Sequence, residues 1–199
     1  MQRLAATVLR SEPGLRREPD LQSAQGRSGS AQRPESAAPE RVQSAAALFA
    51  PFGQVIAPVE DGAPWGPADA DLVFDGAPIR FYLMRLRRRS STLIKLTRHR
   101  RCSQCLASAE ARPWWLAVAA PSVAAAADAP LIAAAAVRLF RIEPPLAVKL
   151  HPGTWHGGPL IQEAEATFFN LELADTNLND HEDRLLVQPL LLELAEQTA

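Results

Sequence analysis

Residues 146–160 read LAVKLHPGTWHGGPL. Leu146, Val148 and Leu150 alternate with Ala147, Lys149 and His151, and a period of two is the mark of a strand, whose successive side chains point to opposite faces. Pro152-Gly153 then turns the chain, and Gly157-Gly158-Pro159 lets backbone pass close to a ligand or to another strand. A turn flanked by His151 and His156 predicts a two-imidazole site, suited to proton transfer or to a metal.

The same alternation recurs outward from this stretch. Ile79 to Arg87 places Ile79, Phe81, Leu83 and Arg85 on one side. Thr92 to Arg100 sets Ile94, Leu96 and Arg98 against Lys95, Thr97 and His99. Thr167 to Ala174 sets Phe169, Leu171 and Leu173 against Phe168, Asn170 and Glu172. Trp114 to Ala120 is continuously apolar, as expected of a strand buried on both faces. Phe52 to Ile56 reads as a short strand after a turn, and Ala45 to Phe49 as a short helix ending at Pro51. The Leu-rich stretch Leu185–Leu194, broken at Pro189, reads as a strand, a short helix or a partner contact. One helix is predicted to open at Asp128-Ala129-Pro130, with Leu131, Ala135 and Leu139 on one face. Many short strands between Gly/Pro turns, with one helix, predict a mainly all-β sandwich or barrel.

Three strands carry polar lines: Lys95/Thr97/His99, Lys149/His151 and Asn170/Glu172. Lys95 and Lys149 are the only lysines among 21 basic residues. A polar-lined barrel interior with a ligand pocket would gather them; a solvated outer face is the alternative. Arg85-Leu86-Arg87-Arg88-Arg89 reads as a solvated basic turn, with steering of a substrate carboxylate as the lesser reading. Cys102-Ser103-Gln104-Cys105 reads as a buried pair beside a strand; a structural zinc needs a fourth ligand beyond these two and His99.

The chain has 199 residues, 21 Lys+Arg against 22 Asp+Glu, and two cysteines. The charge balance argues against a nucleic-acid or membrane-surface protein, and two cysteines make no secreted disulfide framework. The most apolar stretch, Trp114 to Val137, holds Asp128 and two prolines and is half alanine, a poor membrane span. The expectation is a soluble, cytoplasmic protein. Residues 1–44, rich in Ser, Gln, Pro, Ala and Arg, read as a disordered tail, with organelle targeting as the alternative; residues 45–199 read as one folded domain.

Several of these pieces together resemble one family. His151-Pro152-Gly153-Thr154-Trp155-His156, then Gly158-Pro159-Leu160, Thr167 to Leu173, Asp175-Thr176-Asn177 and Asp180-His181 are similar to the ureidoglycolate lyase (ureidoglycolate hydrolase) family. Phe49 to Ile56 is similar to the family's opening motif, and Arg98-His99 with Ser103-Gln104 to its Arg-His…Gln motif. The HPGTWHGGPL form and the closing Asp-His look like the branch of plants and other photosynthetic organisms.

The resemblance implies a cupin-like antiparallel β-barrel or jelly roll, usually a homodimer. Its members cleave (S)-ureidoglycolate to glyoxylate and urea in allantoin and purine-nitrogen breakdown. On that reading His151, His156 and His99 are the acid–base candidates. Lys149 and Lys95 would hold the carboxylate, Gln104 and Asn170 the urea end, with Glu172 and Trp155 beside them. A cofactor is not required, and a divalent metal would use His99, His151, His156 and Glu172. Against the cupin metal motifs, Thr97 and Gln104 stand where a histidine and a glutamate would be. The competing readings are a non-catalytic protein binding a small carboxylate, and a different metal-dependent cupin enzyme. The dimer is expected to form through a sheet face or edge, with Leu185–Leu194 supplying apolar surface.

Overall fold

The structure, a computed structural model, describes residues 35–38, 40–41, 46–123 and 131–194. In chain order the strands are β1 (Glu35–Ala37), β2 (Glu40–Arg41), β3 (Gly53–Ile56), β4 (Ile79–Arg87), β5 (Thr92–Arg98), β6 (Gln104–Ser108) and β7 (Trp114–Ala119). They continue with β8 (Leu131–Ile132), β9 (Arg138–Ile142), β10 (Ala147–Leu150), β11 (Trp155–Leu160), β12 (Glu165–Leu173) and β13 (Glu182–Leu192). Two single-turn helices, α1 (Ala46–Phe49) and α2 (Thr176–Asn179), and a 3₁₀ turn at Ala134–Ala136 complete the list.

These strands form two sheets. The smaller runs β3-β10-β6-β12-β4 and is antiparallel where its pairs are registered. The larger runs β1-β13-β5-β11-β7-β9-β2, with β8 also on β13. Only two residues separate β1, on the β13 edge, from β2, on the β9 edge. At roughly 3.5 Å per extended residue, those edges must lie close, so the larger sheet curls towards closure. This is the cupin-like β architecture that the alternation and the resemblance led one to expect.

Curling gives the larger sheet a core on each face. Trp114, Leu116 and Val118 of β7 join Phe49, Phe140, Val148, Leu150 and Phe168 between the sheets. Trp115, Ala117 and Ala119 join Leu96, Leu139, Trp155 and Leu190 in a second core. β7 therefore reads as unbroken apolar sequence because each face has its own core.

The predicted helix is a correction. Leu131–Ile132 is a strand, Ala134–Ala136 a 3₁₀ turn and Arg138–Ile142 a strand again; Asp128, Ala129 and Pro130 lie outside the described residues. Leu131, Ala135 and Leu139 match a helical face by spacing alone, and edge pairing of β8 with β13 and of β9 with β7 overrides it. The first 34 residues of the expected tail lie outside the described residues, yet β1 and β2 fall within its last ten and pair with β13 and β9. The stretch 185–194 is mostly strand, with a register shift between Leu185 and Leu190 that accommodates Pro189. Among the described residues no helix is long and apolar enough to cross a membrane.

Candidate active site

One half of the space between the sheets is filled by the apolar core. The other half is a polar cavity of about 330 Å³, at the small end of ligand sites. β4, β5, β11 and β12 line it, and alternation decides what they show. On β12, Ala166 and Phe168 face the core while Asn170 and Glu172, on the same face, reach the cavity. On β4 the exposed side carries Phe81 and Leu83, so Tyr82 and Met84 face inward. His156 lies opposite Thr97 of β5 and Val118 of β7, and His156 and Thr97 both line the cavity. A Cβ on Gly157 would come 2.7 Å from Leu93 Cδ1, so glycine lets β11 pass this close to β5.

Three imidazoles meet there. The ring of His99 lies 5.1 Å from that of His156 and 5.6 Å from that of His181. His99 Nδ1 is 2.5 Å from the Asp180 carbonyl and His156 Nδ1 is 3.2 Å from the Thr154 carbonyl. A carbonyl only accepts, so each Nδ1 carries the hydrogen and each Nε2 is left to face other partners. Burial, and then the neighbouring His99, push the His156 imidazole down to about 3. His156 is therefore neutral over the working range.

Asp180 fixes this arrangement from behind. Its carboxylate accepts from the backbone N–H of Arg100 at 2.7 Å and of Arg101 at 2.8 Å, clamping the His181 segment onto the His99 segment. Asp183 lies 3.3 Å from His181 Nε2, accepts from Thr97 Oγ1 at 2.5 Å, and is bonded to the Lys95 ammonium. Burial alone would raise the Asp183 carboxyl, but the hydrogen bonds from Lys95 and Thr97 outweigh it and hold the group below its ordinary value.

The floor is a second network. Glu172 accepts from Gln104 Nε2 at 3.0 Å and from the Tyr82 hydroxyl at 3.1 Å, and that hydroxyl accepts from Asn170 Nδ2 at 3.0 Å. Burial, then the Glu172 charge, raises the Tyr82 phenol, which stays protonated. Gln104 Oε1 and Asn170 Oδ1 are buried without a partner. Each such acceptor costs free energy where it stands, so this network is a strained part of the wall.

Of the residues expected at the site, His99, His156, Lys95, Gln104, Asn170 and Glu172 line this cavity. His151, Lys149 and Trp155 do not. The Pro152-Gly153 turn, with Gly153 at φ 84°, carries the chain from the small sheet to the large one and does not fold it back as a hairpin. His151 is thus left beside Ala50, with Nε2 3.2 Å from its carbonyl. Val148 and Leu150 take the core side of β10, so Lys149 and His151 face away from it and touch each other, Nζ to Nδ1, at 3.1 Å. Trp155 is fully buried in the second core, its Nε1 donating to the Val123 carbonyl at 2.9 Å. The four residues expected to share a metal do not converge, and among the described residues no group of three or more His, Cys, Asp or Glu is placed to hold one. No step below runs through a metal. Cys102 is buried and Cys105 half-buried, both as free thiols.

Sequence reasoning missed Tyr82, Asp180, His181 and Asp183 as functional residues. The signal for Tyr82 was present: if the Phe81 line faces out, Tyr82 faces in, and it stands opposite Asn170 in register.

Histidines and a carboxylate gathered around a cavity of ligand size, between the sheets of a cupin-like β fold, fit an enzyme that acts on a small molecule. A family profile described as ureidoglycolate lyase matches residues 68–193. The chain belongs to the ureidoglycolate lyase family, a family of lyases. A search of the curated proteins found no match.

Proposed function

We propose that this chain cleaves ureidoglycolate to glyoxylate and urea in the breakdown of purine-derived ureides, using the cavity between β4, β5, β11 and β12. The observation that carries this is the cluster of three imidazoles in a cavity that Gln104, Asn170 and Glu172 also line. A ureido group offers both donors and an acceptor to amide and carboxylate side chains, where a simple hydroxy acid offers fewer donors.

The substrate carbon bears a hydroxyl, a carboxylate and a urea nitrogen. Cleavage breaks O–H and C–N, forms C=O, and delivers a proton to the leaving nitrogen. His99 Nε2, with its ring fixed by the Asp180 carbonyl, takes the hydroxyl proton, and that carbonyl stabilises the imidazolium that results. His181, beside Asp183, returns a proton to the departing nitrogen. Neutral His156 accepts from a ureido N–H through Nε2 and holds no proton of its own to give. Gln104 and Asn170 retain the urea end, and Glu172 and Tyr82 fix their amides.

Incubation of the purified protein with racemic ureidoglycolate should release glyoxylate and urea in equal amounts, at most half the racemate being consumed. Binding without glyoxylate would replace this reading with that of a carboxylate-binding protein. Glyoxylate with ammonia in place of urea would replace it with that of a hydrolase of the ureido group.

We also propose that the working form is a homodimer, seated on the outer face of the small sheet. Ile79, Phe81, Leu83 and Phe169 are exposed there, with the Phe81 and Phe169 rings stacked at 5.8 Å. This concentration of apolar surface supports an interface better than the single exposed leucines of the 185–194 stretch do. Light scattering at micromolar concentration should give twice 21.6 kDa. A monomer mass would remove the claim.

A further inference from the structure

The substrate of the reading above is an anion, yet neither lysine expected to hold its carboxylate is free to do so. Lys149 lies on the opposite face of the small sheet, against His151. Lys95 lines the cavity, but its ammonium is committed to Asp183. The floor repels an anion, because Glu172 already occupies it as the acceptor of two hydrogen bonds. The carboxylate must therefore face the mouth.

At the mouth stands Arg89, exposed and lining the cavity with Ser90 and Thr92. It has no carboxylate partner among the described residues. Its basic neighbours are spoken for or turned away. Arg85 and Arg87 follow the outward line of Phe81 and Leu83, paired in register with Thr167 and Glu165. The Arg88 guanidinium donates to the Gln162 carbonyl at 3.0 Å, and its backbone N–H to the Ala164 carbonyl at 2.9 Å. On the other side the Ser91 carbonyl accepts from the Leu192 N–H at 2.9 Å, and Ser90 Oγ accepts from the Thr92 N–H at 3.0 Å. The tip of the β4–β5 hairpin is thus pinned from both flanks, which holds Arg89 at the opening.

We infer that Arg89 is the carboxylate-binding residue of this site and sets its selectivity for 2-ureido acids over neutral ureides. This rests on the reading proposed above. The guanidinium presents paired N–H donors that match a carboxylate. Substrate then lies with its carboxylate at Arg89, its ureido end at Gln104 and Asn170, and its reacting carbon between them at the histidines.

The test compares Arg89→Gln, Arg89→Lys and the charge-matched control Arg87→Gln with the parent protein. Initial rates on ureidoglycolate are measured with glyoxylate and urea as product inhibitors. Arg89→Gln should lower kcat/KM roughly five- to tenfold, mainly through KM, and weaken inhibition by glyoxylate to a similar degree. Inhibition by urea should move less than twofold. Arg89→Lys should recover part of the loss, and Arg87→Gln should behave as the parent. The KM of the parent should rise with salt, and that dependence should flatten in Arg89→Gln. An unchanged KM in Arg89→Gln overturns the assignment. So does an equal loss in Arg87→Gln, which would mark a general field effect, and so does equal weakening of urea and glyoxylate, which would mark a collapsed hairpin. If the parent protein makes no glyoxylate from ureidoglycolate, the proposed function fails first and this assignment falls with it.

Discussion

Replacing His156 with asparagine should lower the turnover number by about a hundredfold, the cost of misplacing a reacting group by about 1 Å. The side chain is buried, its Nδ1 is tied to the Thr154 carbonyl, and its ring lies 5.1 Å from that of His99. Asparagine is shorter and leaves the ureido N–H without an oriented acceptor. Turnover within a few-fold of the parent at saturating substrate would remove His156 from the reaction. The pH profile discriminates further. A histidine that stored the proton would give a limb between about pH 6 and 7.5, and that limb would vanish with the side chain. With the His156 imidazole held near 3 by burial and then by His99, any such limb should instead survive the substitution.

The same residue makes stability depend on pH. Its folded value lies below the ordinary 6.5, so below about pH 6.5 the unfolded chain binds a proton that the folded chain refuses. Folding stability therefore rises with pH between about 3 and 6.5 and falls on acidification, at about 1.4 kcal/mol per pH unit for one proton. Between pH 7 and pH 5 this amounts to about 2 kcal/mol. Denaturant midpoints should show a loss larger by that amount in the parent protein than in His156→Asn, where the contribution of His151, also pushed down by burial, remains. Equal losses in both would mean that His156 titrates normally in the folded chain.

The strands were legible because alternation is local. β4, β5, β10 and β12 all follow from it to within two residues at each end. What alternation leaves open is which of two faces turns inward. The Asn170/Glu172 and Thr97/His99 lines were read correctly as interior. The Lys149/His151 line was not, because Val148 and Leu150 take the core side of β10 and alternation then sends Lys149, itself buried, and His151 to the other face. The partnership of His151 and His156 failed for a topological reason: a Pro-Gly turn looks the same in sequence whether it closes a hairpin or crosses between sheets. His181 reaches the cavity, with Asp183 behind it, through a contact 80 residues long in sequence, from Asp180 to Arg100, which no local pattern encodes. The alanine run fits a helix, a turn or an edge strand equally well, so only tertiary pairing decided it.

Trp155 gives the second large effect. Its neighbour His156 and the Trp-His motif suggest a substrate contact, but the ring is fully buried outside the cavity. The Arg98 guanidinium lies 4.1 Å above it and that of Arg184 lies 5.3 Å away. Arg98 is itself buried and reaches Glu182 through two hydrogen bonds of 2.9 and 3.0 Å. The indole thus covers a charge that would otherwise border a void. Trp155→Ala should cost about 3–5 kcal/mol, the range for emptying a large aromatic site in a core, and lower the thermal midpoint by roughly 10 °C. Trp155→Phe should keep part of the packing but lose the hydrogen bond to the Val123 carbonyl, at about 1 kcal/mol for that bond. In both variants the KM measured well below the midpoint should stay within about twofold of the parent, since binding that the residue does not touch is not removed with it. A substrate contact would produce the reverse, a raised KM with the midpoint unmoved, and Trp155→Phe is the decisive variant because its milder loss of stability leaves a folded protein on which both quantities can be read.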